Sequence, residues 1–162
     1  MTTHPQDKTQ VQLGKIVPPV TLLASNGEEI SLSQFLGKKL IIYFYPKDNT
    51  PTCTQESCDF RDYTSQFRAN GAELIGISPD PIKSHHKFIE KHTLPFLLLS
   101  DIELTAAHLF DVWRLKKLYG REYMGVERST FLLDAQGMLV REWRRIKIKN
   151  HVNEVLEAVK MV

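Results

Sequence analysis

A chain of 162 residues, 42% hydrophobic and 25% charged, has the make-up of one soluble globular domain and is long enough to bury about two-thirds of its unfolded surface. Its formal net charge of +2 gives no reason to invoke nucleic acid or an anionic membrane. Its two cysteines, Cys53 and Cys58, lie too close in sequence to frame a secreted disulfide fold, so a chemical role in a reducing compartment is expected.

Residues 1–12 are polar and lack the apolar core of a signal peptide, which predicts a mobile tail, a single domain over residues 13–162 and a cytoplasmic location. Val20 to Leu23 and Glu28 to Leu32 flank Ser25-Asn26-Gly27, a hairpin signal because Asn-Gly accepts positive φ readily. Ser33 to Leu36 reads as a short helical turn ended by Gly37. The run Leu40 to Tyr45 is apolar without alternation, which predicts a strand covered on both faces and is far too short to span a bilayer. A helix follows from Thr52 to about Ala69, stopped at Asn70-Gly71, and then a second buried strand from Glu73 to Ile77. Pro81 to Lys91 reads as a helix with Asp80 as its N-cap.

Phe96 to Leu99 is expected as a third strand of this kind and Glu103 to Phe110 as a helix. Asp111 to Glu127, basic and rich in Tyr and Gly, reads as a loop with some helical turns. Thr130 to Leu133 and Met138 to Arg144 make a second hairpin around Asp134 to Gly137. Asn150 to Met161 closes the chain as a helix with Val152, Val155, Leu156 and Val159 on one face. Strands alternating with helices predict an α/β fold: a mixed central β-sheet flanked by helices, with an N-terminal β-hairpin.

The chemistry concentrates where the Leu40 to Tyr45 strand runs through a Pro-rich turn into the next helix, which delivers Cys53 at the helix start. The first turn of a helix has unpaired N–H groups and about half a unit of positive charge, so a thiol there loses its proton more readily. Thr50, three residues before Cys53, is close enough through a tight turn to hydrogen-bond the sulfur or an incoming substrate.

Pro46, Thr50 and Cys53 fit P-x-x-x-T-x-x-C, the peroxidatic-cysteine motif of the peroxiredoxins. With Cys58 placed as in T-P-x-C-T-x-E-x-C-x-F-R-D, the chain resembles the bacterioferritin-comigratory-protein, or Q-type, branch of that family. Ile77 to Asp80 (I-S-P-D), Leu94 to Asp101 (L-P-F-L-L-L-S-D) and Arg128 to Asp134 (R-S-T-F-L-L-D) resemble later landmarks of the branch, in the same order, over about Val17 to Val159. The resemblance implies a thioredoxin-like fold and a thiol peroxidase acting on hydrogen peroxide and organic hydroperoxides. It implies Cys53 as nucleophile, Cys58 as resolving cysteine in a Cys53–Cys58 disulfide, Arg128 as the active-site arginine and Pro46 as a shield over the thiolate. Thioredoxin or a similar dithiol is the implied reductant, no metal, haem or flavin is implied, and a monomer is expected. Thr52 departs from the family pattern, standing where many relatives have Gly.

Other readings stand beside these. A thiol–disulfide oxidoreductase on the same fold lacks its C-x-x-C at the helix start. A non-catalytic binding module leaves Thr50 and Arg128 without a purpose. Glu56 is equally readable as a group that orients the arginine or as an exposed helix charge. His85, His86 and His92 are expected to be solvated helix residues, and the basic Arg141 to Lys149 a strand whose alternate side chains face water rather than an RNA site. If Cys53 and Cys58 share one regular helix, their Cα atoms lie about 8.7 Å apart, beyond the roughly 6.8 Å a disulfide tolerates. Forming that bond is therefore expected to require local unwinding.

Overall fold

The computed structural model describes residues 10–162; most of the tail expected over residues 1–12 lies outside them. The first described residues are tied down, Val11 donating its amide to the Leu109 carbonyl at 2.9 Å. Strands β1 (Thr21–Ala24) and β2 (Glu29–Ser31) form the expected N-terminal hairpin, with Gly27 at φ 85° in its turn. A 3-10 turn over Leu32–Phe35 follows, closed by a reciprocal capping box between Ser31 and Gln34.

Strand β3 (Lys39–Phe44) leads into helix α1 (Pro51–Ala69), then strand β4 (Ala72–Ser78), helix α2 (Ile82–His92) and strand β5 (Leu97–Ser100). The short helix α3 (Thr105–Leu109) precedes strands β6 (Trp113–Leu118), β7 (Arg121–Val126), β8 (Ser129–Leu133) and β9 (Leu139–Trp143), and helix α4 (His151–Lys160) ends the fold. Seven strands make one mixed sheet in the order β2-β1-β5-β4-β3-β8-β9, with β3, β4 and β5 parallel and the remaining pairs antiparallel.

The unbroken apolar run of β3 is explained by its central place, because both faces are covered. Leu40, Ile42 and Phe44 enter one core with Phe110, Val112 and Phe131, beside α3. Ile41, Tyr43 and Tyr45 enter the other, with Phe60 and Phe67 of α1, Phe88 of α2 and Val152, Val155 and Val159 of α4. Gly76 of β4 is held small by this packing: a Cβ there would lie 2.7 Å from both Tyr43 Cζ and Leu98 Cδ2.

Three sequence expectations are corrected. Asp111 to Glu127 is not a loop with helical turns; it contains the β6–β7 hairpin, a separate two-stranded sheet. Its turn is Tyr119-Gly120, both at positive φ (51° and 75°), the two-residue geometry that matches strand twist. Asp80 does not cap α2, whose N-cap is Pro81 without a side-chain bond; the carboxylate instead accepts from the Asp48 amide and the Ser78 hydroxyl, both at 2.7 Å. His85 is not solvated but fully buried. The basic segment Arg141 to Lys149 is a strand only at its start: β9, an edge strand where charge discourages further pairing, ends at Trp143, and residues 144–149 are not strand. Arg144, however, turns inward to donate to the Phe110 and Asp111 carbonyls, each at 3.0 Å.

Candidate active site

The site forms where β3 ends. Antiparallel pairing sets Phe44 opposite Ser129, so Arg128 arrives at the mouth of β8 beside the chain leaving β3. That chain passes Pro46, turns through Asn49 in the left-handed region (φ 61°), and enters α1 with Thr50 as N-cap and Pro51 in the first turn. Cys53 is therefore in the first turn of α1, where helix geometry leaves backbone amides without a carbonyl partner, and its side chain is fully buried. Arg128 Nη2 donates to Cys53 Sγ at 3.1 Å, while Arg128 Nη1 donates to Glu56 Oε1 at 2.7 Å. One guanidinium thus bridges the thiol and a carboxylate one helical turn further on.

Glu56 is the group the sequence left open, and it faces inward. It is fully buried, and its second oxygen, Oε2, has no hydrogen-bond partner among the described residues. Burial raises its pKa to about 7, against the opposing pull of Arg128. Arg128 is shifted the other way in effect: burial works against its charge, but Glu56 and then Cys53 more than offset this and raise its proton affinity. The guanidinium stays cationic beside the sulfur.

Pro46 is partly exposed at the strand exit. Thr50 is not brought onto the sulfur in this arrangement; its hydroxyl donates to the Lys47 carbonyl at 3.0 Å. Cys58 lies on the same helix as Cys53, half-buried, and both thiols are free. Its Sγ is 3.9 Å from Nδ1 of His92, the last residue of α2.

Two sets of residues at the site carry no motif in the sequence. Asp48, inside the turn, is buried and takes four hydrogen bonds at its side chain and amide: Tyr45 Oη donates to Oδ1 at 2.5 Å, and Ser84 Oγ and His85 Nδ1 approach Oδ2, both at 2.8 Å, while its own amide donates to Asp80. His85 Nε2 faces the Leu99 carbonyl at 3.2 Å, so the ring bridges the turn, α2 and β5. Lys116 of β6 is the second. Burial, and then Arg128, lower its pKa, while Cys53 and Glu127 pull the other way; its ammonium donates to the Val126 carbonyl at 2.9 Å. A groove of about 340 Å³ opens here, lined by Lys116, Arg128, Arg145, Leu115 and Ile146 among others.

A buried cysteine in the first turn of a helix, bonded by an arginine that is itself fixed by a buried carboxylate, invites comparison with known thiol enzymes. The AhpC/TSA family pattern matches residues 13–142. The peroxiredoxin Bcp of Bacillus subtilis is 52% identical over 150 residues, covering 93% of this chain and 96% of its own. The chain belongs to the AhpC/TSA family, in its Bcp peroxiredoxin branch. Solved structures agree. A Xylella fastidiosa PrxQ Cys-to-Ser mutant superposes with a TM-score of 0.89 at 34% identity, covering 94% of this chain and 97% of that one. The bacterioferritin comigratory protein of Xanthomonas campestris, in trapped intermediate/ligand complexes bearing on its alkyl peroxide reduction activity, superposes with a TM-score of 0.84 at 41% identity, covering 88% and 90%. The fold is accordingly thioredoxin-like and the chain is a thiol peroxidase by family. Among the described residues no helix is long and apolar enough to cross a membrane.

Proposed function

We propose that this protein reduces hydrogen peroxide and organic hydroperoxides through Cys53, is resolved by Cys58 within the same chain, and is recycled by thioredoxin or a similar dithiol. The observation that carries the reading is the 3.1 Å bond from Arg128 to Cys53 Sγ at the start of α1. Cleaving an O–O bond needs a thiolate in line with it and donors for the charge that grows on both oxygens. Arg128 supplies a permanent cation at the sulfur, and the unpaired amides of the first helical turn supply further donors. Thr50 would meet the peroxide as an acceptor, its proton being held by Lys47. Pro46 would keep bulk water from the thiolate.

In the first step the Cys53 thiolate attacks one peroxide oxygen, the O–O bond breaks, and the products are a cysteine sulfenic acid and an alkoxide or hydroxide that takes up a proton. In the second, the Cys58 sulfur displaces that hydroxyl as water and forms the Cys53–Cys58 disulfide. A dithiol then reduces the disulfide by exchange. The alkyl peroxide reduction activity of the X. campestris relative supports the organic substrates. A transient disulfide that must be reduced each cycle suits a reducing compartment, the cytoplasm, and an intrachain pair needs no second copy, which favours a monomer acting through the single domain of residues 13–162.

Peroxide consumption by the protein with thioredoxin, its reductase and NADPH tests the proposal. Cys53→Ser should abolish turnover. Cys58→Ser should still consume one equivalent of peroxide but lose thioredoxin-dependent turnover. Turnover that survives loss of Cys53 would overturn the assignment.

A further inference from the structure

Cys58 is not alone on its face of α1. His92 Nδ1 stands 3.9 Å from its Sγ, within reach of a sulfur hydrogen bond. Arg61, one helical turn beyond Cys58, donates from Nη1 to the His92 carbonyl at 2.8 Å and from Nε to Asp62 at 3.0 Å. The imidazole also packs edge-on with Phe88, ring centroids 5.3 Å apart and the planes at 75°. Thr93, in the left-handed region at φ 51°, ends α2 directly after it. None of this serves Cys53, whose own cation is Arg128. It is a separate set of cysteine, histidine and arginine, built across the α1–α2 contact around the other sulfur.

We infer that His92 is the general base of the resolving step, taking the proton of Cys58 as that sulfur attacks oxidised Cys53. The inference rests on the peroxidase reading above and assigns a residue which that reading leaves idle. A thiol is a poor nucleophile and its thiolate a good one, so a proton acceptor on Sγ sets the rate of resolution. The charged groups that act on the ring are Lys91 from α2 itself and Arg61 from α1, the latter paired with Asp62. Burial first, and then Lys91 and Arg61, lower the pKa of His92, which favours the neutral ring; in its Nε2–H tautomer Nδ1 is the acceptor facing Cys58 Sγ. The proton then passes from Cys58 Sγ to Nδ1. The thiolate attacks the Cys53 sulfur, the S–O bond breaks, and the departing hydroxide takes the proton back from the imidazolium as water. The carbonyl end of α2 stabilises that imidazolium while it lasts.

The same contacts decide which sulfur travels. Arg61 ties α1 to the end of α2, Phe60 just before it is buried, and beyond it Thr64 and Phe67 are buried too. Cys58 is thus anchored beside its base, and the segment ahead of it, with Cys53, makes the move.

Stopped-flow tryptophan fluorescence after a peroxide pulse separates oxidation of Cys53 from disulfide formation. In His92→Gln the second phase should slow by on the order of tenfold or more while the first persists, added imidazole should restore it, and its rate should depend more steeply on pH than in the wild type. In a Cys53→Ser background, where no peroxide chemistry occurs, the same substitution should slow alkylation of Cys58 by iodoacetamide. An unchanged second phase, with the Cys53–Cys58 disulfide confirmed by mass, overturns the role of His92. Equal slowing of both phases also overturns it, since a merely structural defect would act so. If the wild-type chain forms no such disulfide, the peroxidase reading fails first, and the alkylation arm still reports whether His92 activates Cys58.

Discussion

The Glu56 carboxyl is buried with one oxygen on Arg128 and the other facing no donor among the described residues, an arrangement that costs stability. While Glu56 is ionised it fixes the fork of Arg128 toward Cys53. Its raised pKa gives a pH signature whose sign can be worked out. The unfolded value is 4.5 and the folded value about 7, so the native state binds the extra proton between them. Stability from this group is therefore present in full below pH 4.5 and is lost as pH rises through about 7. Glu56→Gln should remove that loss, flattening the stability difference across the window by on the order of 1–3 kcal/mol; urea titrations of both proteins at several pH values would measure it. His151, also buried and lowered to about 4 mainly by burial, acts in the opposite sense between pH 4 and 6.5, so the variant must be compared with wild type rather than read alone. For Arg128→Met, loss of a donor made for the transition state should slow the attack of Cys53 on peroxide by on the order of 10²-fold. A rate unchanged in a folded variant would show that the 3.1 Å contact does not act in the chemistry.

Between elements, the turn that carries the nucleophile is held chiefly by the Asp48–His85 pair, with side chains 1% and 0% exposed. His85→Leu would leave a buried carboxylate without its imidazole partner, which costs about 3–5 kcal/mol in comparable sites. The midpoint of chemical denaturation should fall accordingly, and the attack rate of the folded fraction should fall with it because Thr50 and Cys53 are placed by that turn. Gly76→Ala tests a different joint. Its added Cβ would push on Tyr43, whose hydroxyl pairs with Ser57 of α1 at 2.9 Å, and overpacking of this kind costs about 1–3 kcal/mol. The contrast between these elements explains what could be read beforehand. The apolar run of β3, the Asn26-Gly27 turn and the P-x-x-x-T-x-x-C spacing are local signals, and the elements and family they indicated are present. The β6–β7 hairpin was illegible because Tyr119 occupies a left-handed position that usually advertises itself as Asn, Asp or Gly, and because its strands do not alternate. His85 meets Asp48 across 37 residues, Glu56 meets Arg128 across 72, and Cys58 meets His92 across 34. No periodicity or spacing in one sequence reports such pairs; only the register of β8 on β3 and the packing of α2 on α1 create them.

At the scale of the whole molecule, the catalytic cycle asks one part of the fold to open while the rest stays shut. Cys53 and Cys58 lie on one continuous helix, Pro51–Ala69, where five residues separate Cα atoms by about 8.7 Å, more than the roughly 6.8 Å a disulfide allows. The start of α1 must therefore unwind once Cys53 is oxidised. The two cores make this possible without global unfolding. Leu40, Ile42 and Phe44 pack with Phe110 and Phe131 on the sheet face away from α1, and that core contains neither cysteine. Only the Cys53 side loses contacts when the first turns melt, and Phe60 and Phe67 remain to hold the second half of the helix. Terminal turns are the low-stability end of a domain, so this opening is within ordinary local fluctuation. It also partitions the oxidised enzyme: a folded helix exposes the sulfenic acid to a second peroxide, and a melted one commits it to Cys58. Hydrogen exchange of the reduced and disulfide forms should show amides from Thr52 to about Ser57 losing protection on oxidation, while β3 and the helix beyond Arg61 keep theirs. Equal protection of the first turns in both forms, with the intrachain disulfide confirmed, would rule this motion out. Loss extending through Phe67 would mean that Cys58 travels too, and that its contact with His92 is broken before the bond forms.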